Sequence, residues 1–533
     1  MNNSKLKNIL YIAIFSYIVI AMIVVCVSFQ NLVPDTALTL KMTDNGYRHI
    51  PFNHYQHPKT SNINEDENEF VSWWSPGQFA LPMLIEKCLN VRLSIALKIL
   101  IVICLLFSGF GIYKLYSKLI KKKDRIAKDG YPTSITALCL LLFTLFQPFF
   151  WDNLFVYDGG GILMLAYCPW FIYWVIKRDR LNFSNLALLV LLSAIGFFLK
   201  ASFTNIFCGA LLYLFLSTSV LPFISFKNLD FKKIFINGSC LGIALVIYLV
   251  ASKFLFLNHN RNISDSSLGI RIQLRILAYP VVAPFLGFFS LHTLNKTIHW
   301  LIGMVVVLPV YYLIIKSRNI TPLYKTVLLC FAGVSICFYT LIYFMNVDVS
   351  YEYRHFMIIT VLLTPTLFII FWRGQLAKTL LWGLVIMYTA FNAITYINAI
   401  KLHIKSKNTV SDYSGLTSPY PQDLINKIHS LDNLNNKGRD IFYLTAPHMA
   451  LEIRNNRVLL EDNFLNFHFN NDARHKTTLY YGKNAGNIYL LYPQNQFKKD
   501  SIKYLTRFEK YKKFEKIYQS TGYAIYKALA NTN

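Results

Sequence analysis

The sequence predicts an α-helical polytopic membrane protein with a small α/β domain at its C-terminal end. Three observations predict it. The chain of 533 residues is 54% hydrophobic and only 15% charged, with a mean hydropathy of +0.38. That is more apolar surface than a soluble core would bury. Apolar runs of about 17 to 25 residues recur along it, each long enough to cross a hydrocarbon layer of roughly 30 Å as a helix. After Lys401 the runs stop and short strand-like pieces take over.

Lys5 and Lys7 precede an unbroken apolar segment from Ile9 to Phe29 with no small-residue cleavage site near Val27, which reads as a retained signal anchor. Further spans are expected near 93–119, 134–150, 159–176, 184–200, 203–222, 234–257, 300–316, 324–344, 356–372 and 378–400, eleven with the first. The basic groups Lys121-Lys122-Lys123 with Arg125, Lys177-Arg178 with Arg180, Lys232-Lys233, Lys316 with Arg318, and Arg373 with Lys378 mark cytoplasmic loops under the positive-inside rule. That rule puts the N-terminus inside and residues 30–92, the first extracytoplasmic loop, outside. The apolar stretch 276–291, broken by Pro280 and Pro284, would reverse everything downstream if it spanned, so 258–299 is read as an extracytoplasmic or re-entrant segment. Residues 1–400 then form the transmembrane domain and 401–533 an extracytoplasmic α/β domain, on an inner or cytoplasmic membrane.

In that domain Ile441–Leu444, Arg457–Leu460, Asn487–Tyr492 and Gly522–Tyr526 read as strands and Asp500–Lys512 as a helix. Its 20 Lys and Arg against 11 Asp and Glu leave a net +9, which favours docking near anionic headgroups. The whole-chain net charge of +26 lies mostly between apolar segments rather than in a stripe with interleaved aromatics, which argues against nucleic acid. Of nine cysteines only Cys88 stands in the first loop, the others lying in or at the edges of apolar segments; no disulfide framework or zinc-ligand spacing is present. The polar run 60–69, with Glu65, Asp66, Glu67 and Glu69, reads as a solvated loop rather than a metal site.

Ionisable residues at membrane depth are costly and need a partner, a cavity or a function. Four fall on the outer face. Asp35 follows the first helix, Asp158 opens the fourth in Tyr157-Asp158-Gly159-Gly160-Gly161, Lys200 ends the fifth, and Arg354 opens the tenth in Tyr351-Glu352-Tyr353-Arg354-His355. Two carboxylates and two cations suit group transfer from a lipid phosphate. A carboxylate takes the proton of an attacking hydroxyl or amine, while Lys and Arg stabilise the departing phosphate. Each residue has a plainer reading: Asp35 or Asp158 as a helix cap, Lys200 snorkelling to headgroups, Arg354 paired with Glu352. Asp152 is an alternate to Asp158. His57 and Trp74 in the first loop, with Glu352 and His355, are acceptor or secondary candidates; Trp73-Trp74 also fits an interfacial belt.

The order of these residues resembles the GT-C membrane glycosyltransferases, in particular the protein O-mannosyltransferase and aminoarabinose transferase type. The family's acidic residue after the first helix, with the Pro-rich approach to the second, looks like Asp35-Thr36 followed by Ser75-Pro76-Gly77. Its second acidic residue looks like Asp158, its Thr-Lys-Gly element like Leu199-Lys200-Ala201, and its Arg-Tyr with spaced prolines like Arg354-His355 with Pro365. The chain departs from it at Thr36, Ala201 and His355, where the family often has Glu, Gly and Tyr. The resemblance implies a GT-C-like fold and an inverting glycosyltransferase that moves a sugar from a polyprenyl-phosphate donor to a lipid, glycan or protein acceptor. Asp35 and Asp158 would be catalytic, Lys200 and Arg354 would bind the phosphate, and no metal or other cofactor is expected. A non-catalytic lipid-linked glycan transporter or polymer-assembly subunit is the alternative; matched broken halves, which would favour a transporter, are not evident.

Overall fold

A computed structural model describes residues 3–28, 31–32, 34–44, 49–71, 75–120, 133–178, 181–220, 231–252, 273–288, 297–345, 352–371, 374–405, 420–444, 447–460, 479–494 and 507–530. The chain is a helical membrane bundle carrying a small sheet domain. In the bundle, α1 (Asn3–Val27), α4 (Leu93–Leu119), α10 (Phe231–Ser252) and α13 (Pro322–Phe344) are each long and apolar enough to span alone, as is the Gly383–Lys401 part of α15 (Gly374–Lys405). Their outward faces carry bare side chains such as Ile12, Phe15, Phe235, Val246, Met387 and Phe391. A surface so apolar suits lipid rather than water.

Pro148 explains one departure from a simple span. It lacks the N–H that would continue α5 (Thr133–Leu145) and drives Gln147 to extended backbone, so α6 (Pro148–Phe155) leaves at 53°. The shorter apolar helices are α7 (Gly161–Lys177), α8 (Phe183–Leu199), α9 (Phe203–Phe215), α11 (Leu274–Leu286), α12 (Thr297–Lys316) and α14 (Met357–Phe371). At 1.5 Å per residue α11 is about 20 Å long, short of the roughly 30 Å hydrocarbon layer. Its Pro284 carbonyl accepts a 2.6 Å bond from the Thr360 hydroxyl of α14. Buried polar groups are satisfied across helices in the same way: the hydroxyls of Tyr116 on α4 and Tyr324 on α13 donate to the carbonyls of Val361 and Leu362, at 3.0 and 2.6 Å.

The chain leaves α1 through β1 (Asn31–Leu32) and α2 (Pro34–Lys41), then forms the β2–β3 hairpin (His54–Pro58 with Asp66–Phe70) and α3 (Gly77–Leu89). The run 60–69 is therefore partly strand, because Asp66–Phe70 pairs antiparallel with His54–Pro58 and Asp66 is held by the Arg457 guanidinium at 2.6 Å. The C-terminal domain holds α16 (Gln422–Leu431) and a five-stranded sheet ordered β6-β5-β7-β9-β8, with β5 Ile441–Leu444, β6 Arg457–Leu460, β7 Ile488–Pro493, β8 Tyr511–Gln519 and β9 Tyr523–Ala530. The expected helix over Asp500–Lys512 is overturned at its end, where Tyr511 and Lys512 begin the edge strand β8; residues 500–506 lie outside the described residues. Ile63 of the first loop is buried in this domain's core beside Ile441, Ile488 and Leu490. The first loop and the C-terminal domain are thus on one side of the bundle.

Candidate active site

Three short connections assemble the site. β1 pairs in parallel with β4 (Val156–Tyr157) in the register Asn31↔Val156 and Leu32↔Tyr157, so the chain enters α2 beside the segment that continues into Asp158. The start of α3 abuts the end of α8: a Cβ at Gly77 would lie 2.7 Å from the Phe198 carbonyl oxygen, two residues before Lys200. The turn Tyr353–His355 lies ahead of α14 and presents Arg354.

Asp158 is doubly held. Its Oδ1 accepts the Gly161 N–H at 2.7 Å, capping α7, and its Oδ2 forms an ion pair with the Arg354 guanidinium at 3.7 Å. Arg354 also pairs through Nε with Glu352. The half-buried Lys200 side chain lies along Gly160, whose added Cβ would come within 2.6 Å of the Lys200 Cδ, and Asp158, Arg354 and Glu352 are within its electrostatic reach. Residues from three separate segments, Asp158, Lys200 and Arg354, with Glu352, therefore share one place. Lys200 and Arg354 bring cationic hydrogen-bond donors, the chemistry suited to an anionic phosphate group, beside two carboxylates that hold them and partly neutralise them.

The Tyr353 hydroxyl donates to the Asp152 carboxylate at 2.5 Å, tying the turn that carries Arg354 to α6. Burial, reinforced by the Asp152 charge, pushes the Tyr353 phenol well up and keeps it a donor. Asp152 is thus a structural partner of the turn that carries Arg354.

Asp35 stands in the first turn of α2; its side chain lies outside the described residues, as does Trp74 entirely. The next residue, Thr36, is fully buried, with its Oγ1 3.5 Å from where a Gly159 Cβ would stand. His355 is half-buried beside the Tyr339 ring, with centroids 5.4 Å apart. His57 lies in β2, stacked on Tyr55 and with Nδ1 3.0 Å from the Pro58 carbonyl, on the hairpin that packs against the C-terminal domain. Among the described residues no group of three or more His, Cys, Asp or Glu is placed to hold a metal ion.

Sequence reasoning missed what holds α2. The 3₁₀ segment Pro447–Glu452 of the C-terminal domain packs against it. His448 Nε2 is 3.1 Å from the Leu32 carbonyl, and the Lys41 ammonium binds the Ile453 carbonyl and, at 2.6 Å, Asp44. Burial pushes the His448 imidazole down, so its neutral form donates this bond. No signal short of the fold marks the contacts of Leu32 and Lys41 with this domain, because the partners are more than 400 residues apart.

No protein-family description and no curated protein matches the chain. Among solved structures it is similar to ArnT from Cupriavidus metallidurans bound to undecaprenyl phosphate, at 11% identity and a TM-score of 0.44, over 96% of this chain and 97% of that one.

Proposed function

We propose that the protein is an inverting glycosyltransferase that moves a sugar from a polyprenyl-phosphate carrier to a hydroxyl or amine acceptor on the extracytoplasmic face of the cytoplasmic membrane. The observation that supports it most is the meeting of Asp158, Lys200 and Arg354 beside the segment that enters α2. Asp158 has one oxygen on a helix N-terminus and the other toward Arg354, so it suits an anchor that orients the cations and the sugar. That leaves Asp35 as the general base. It takes the acceptor proton as the acceptor oxygen or nitrogen bonds to the anomeric carbon, and the bond from that carbon to the phosphate oxygen breaks with its electron pair. Lys200 and Arg354 stabilise the lipid phosphate as it leaves, and a leaving group already charged needs no general acid. The scheme calls for no metal.

The positive-inside pattern supports the orientation, with the first loop and C-terminal domain together on the outer side. Replacing Asp35 with Asn tests the reading. With detergent-purified protein and radiolabelled undecaprenyl-phosphate sugars, transfer should fall about 10²- to 10⁴-fold, the usual contribution of a general base, while undecaprenyl phosphate still binds. Transfer at the parent rate would refute the base assignment, and lipid binding with no transfer by the parent protein would favour a non-catalytic carrier.

A further inference from the structure

Three polar side-chain atoms in this region have no hydrogen-bond partner among the described residues although their residues are almost wholly buried: Thr36 Oγ1, Ser75 Oγ and Gln78 Oε1, in residues 0, 3 and 3% exposed. Buried polar atoms are nearly always paired, and each orphan costs free energy that something else must justify. These three are neighbours. Ser75 stands two residues before α3 and Gln78 in its first turn, and the Gln78 N–H bonds the Ser75 carbonyl at 3.2 Å. Gln78 and Thr36 both face Gly159, whose missing Cβ would stand 2.3 Å from Gln78 Oε1 and 3.5 Å from Thr36 Oγ1.

Gly159 has φ +79°, and its neighbour Gly160 carries the Lys200 side chain at the same close range. The glycine pair thus seats the orphan hydroxyl and amide on one residue and the phosphate-binding cation on the next. The backbone here is also fixed, since the Tyr157 hydroxyl donates to the Gln78 carbonyl at 2.7 Å. Two hydroxyls, each donor and acceptor, and an amide oxygen that only accepts form a set complementary to a polyhydroxylated ring.

We propose that Thr36, Ser75 and Gln78 form the subsite that reads the hydroxyls of the transferred sugar. The assignment rests on the lipid-phosphate reading above: a sugar joined through its anomeric carbon to a phosphate held by Lys200 and Arg354 has its ring hydroxyls one ring away, beside Gly159. It gives Thr36, where the resembling family often carries an acidic residue, a role in choosing the sugar. A site built to hydrogen-bond hydroxyls discriminates by leaving its own polar groups unpaired when the wrong sugar enters.

The test uses full-length protein in detergent and two variants, Thr36→Val, nearly isosteric, and Gln78→Leu. Melting temperatures are measured alone, with undecaprenyl phosphate, and with undecaprenyl-phosphoryl glucose, mannose and 4-amino-4-deoxyarabinose. The parent protein should gain a shift from undecaprenyl phosphate and a further shift from at least one sugar-bearing lipid. Both variants should keep the first and lose the second, with KM for that lipid raised on the order of tenfold or more. Ligand-free Thr36→Val should melt no lower than the parent, because its hydroxyl makes no bond to lose. A retained sugar-dependent shift in both variants, a parent that gains nothing from any of the sugars, or a marked drop in the ligand-free melting temperature of Thr36→Val would overturn the subsite. No shift with undecaprenyl phosphate in the parent would instead overturn the lipid-phosphate reading on which it stands.

Discussion

Gly160→Ala should separate catalysis from folding at this site. Gly160 has φ −117° and ψ −17°, which alanine adopts without strain, so the backbone accepts the change. The added methyl, however, would lie 2.6 Å from Lys200 Cδ and 3.0 Å from both Cγ and Cε. Carbon atoms prefer about 3.5 to 4.0 Å, so the lysine stem must move by about 1 Å. A shift of that size in a positioned group costs up to about 10²-fold in rate, and the expected loss is therefore about 10- to 100-fold, or about 1.4 to 2.7 kcal/mol of transition-state stabilisation. The assay is single-turnover transfer from labelled undecaprenyl-phosphate sugar, beside a melting curve in detergent that should be unchanged within about a degree. If the effect passes through the ammonium, Lys200→Ala should lose at least as much, and the double variant should be no slower than Lys200→Ala alone. A Gly160→Ala protein within about twofold of the parent would refute the placement of Lys200 against this glycine, and a further loss in the double variant would refute its route through the lysine.

Two further outcomes follow from neighbouring contacts. Tyr353→Phe removes the hydroxyl that the Asp152 carboxylate receives at 2.5 Å; it should cost about 1.5 to 3 kcal/mol in chemical unfolding and lower transfer through the adjacent Arg354, while unchanged stability would refute the latch. Burial depresses His448, so below its ordinary pKa of about 6.5 the unfolded chain binds a proton that the folded chain refuses. Stability supplied by this histidine is thus complete above about pH 6.5 and is lost as pH falls through that value toward the lower folded one. Melting temperature between about pH 7.5 and 5.5 should fall more in the parent than in His448→Gln, and parallel curves would refute the linkage.

The grouping of three candidate residues was legible because topology carries it. Counting spans from the basic loops put Asp158, Lys200 and Arg354 at the same membrane face, and those three residues lie together in the fold. What composition could not give was how they meet: the two-residue pairing of β1 with β4 and the close approaches at Gly77 and Gly160 are invisible to hydropathy. In the C-terminal domain the four expected strands correspond to β5, β6, β7 and β9, yet β8 was read partly as helix. Its sequence, Tyr511-Lys512-Lys513-Phe514-Glu515-Lys516-Ile517-Tyr518-Gln519, is charged, and register shifts after Tyr511 and Lys516 break the two-residue alternation that marks a strand. Its lysines suit the edge position it occupies. The β2–β3 hairpin was hidden for a related reason, since Asp66 looks like a solvent charge until Arg457 is placed against it.

The C-terminal domain packs on the helix that carries the proposed base rather than hanging free of it. An isolated helix shorter than about 12 to 15 residues is marginal in water, and α2, which carries Asp35, has 8. Its buried positions Ala37 and Leu40 need a surface to pack on, and its ends need partners for exposed backbone and charge. The bundle supplies only part of this, through the pairing of β1 with β4. α3 packs on α2 too, and more comes from the Pro447–Glu452 segment, with His448 on the Leu32 carbonyl just before the helix and the Ile453 carbonyl on Lys41 at its far end. Arg457 locks the same domain to the loop, donating to Asp66 and to the carbonyls of Ile63 and Glu65 at 2.6, 2.7 and 2.9 Å. A proposed base must be held to within a fraction of an ångström of its proton, and a short helix on a membrane loop has no such rigidity of its own. The precision that the proposed role of Asp35 would require is thus a physical reason for the C-terminal sheet domain to pack on α2.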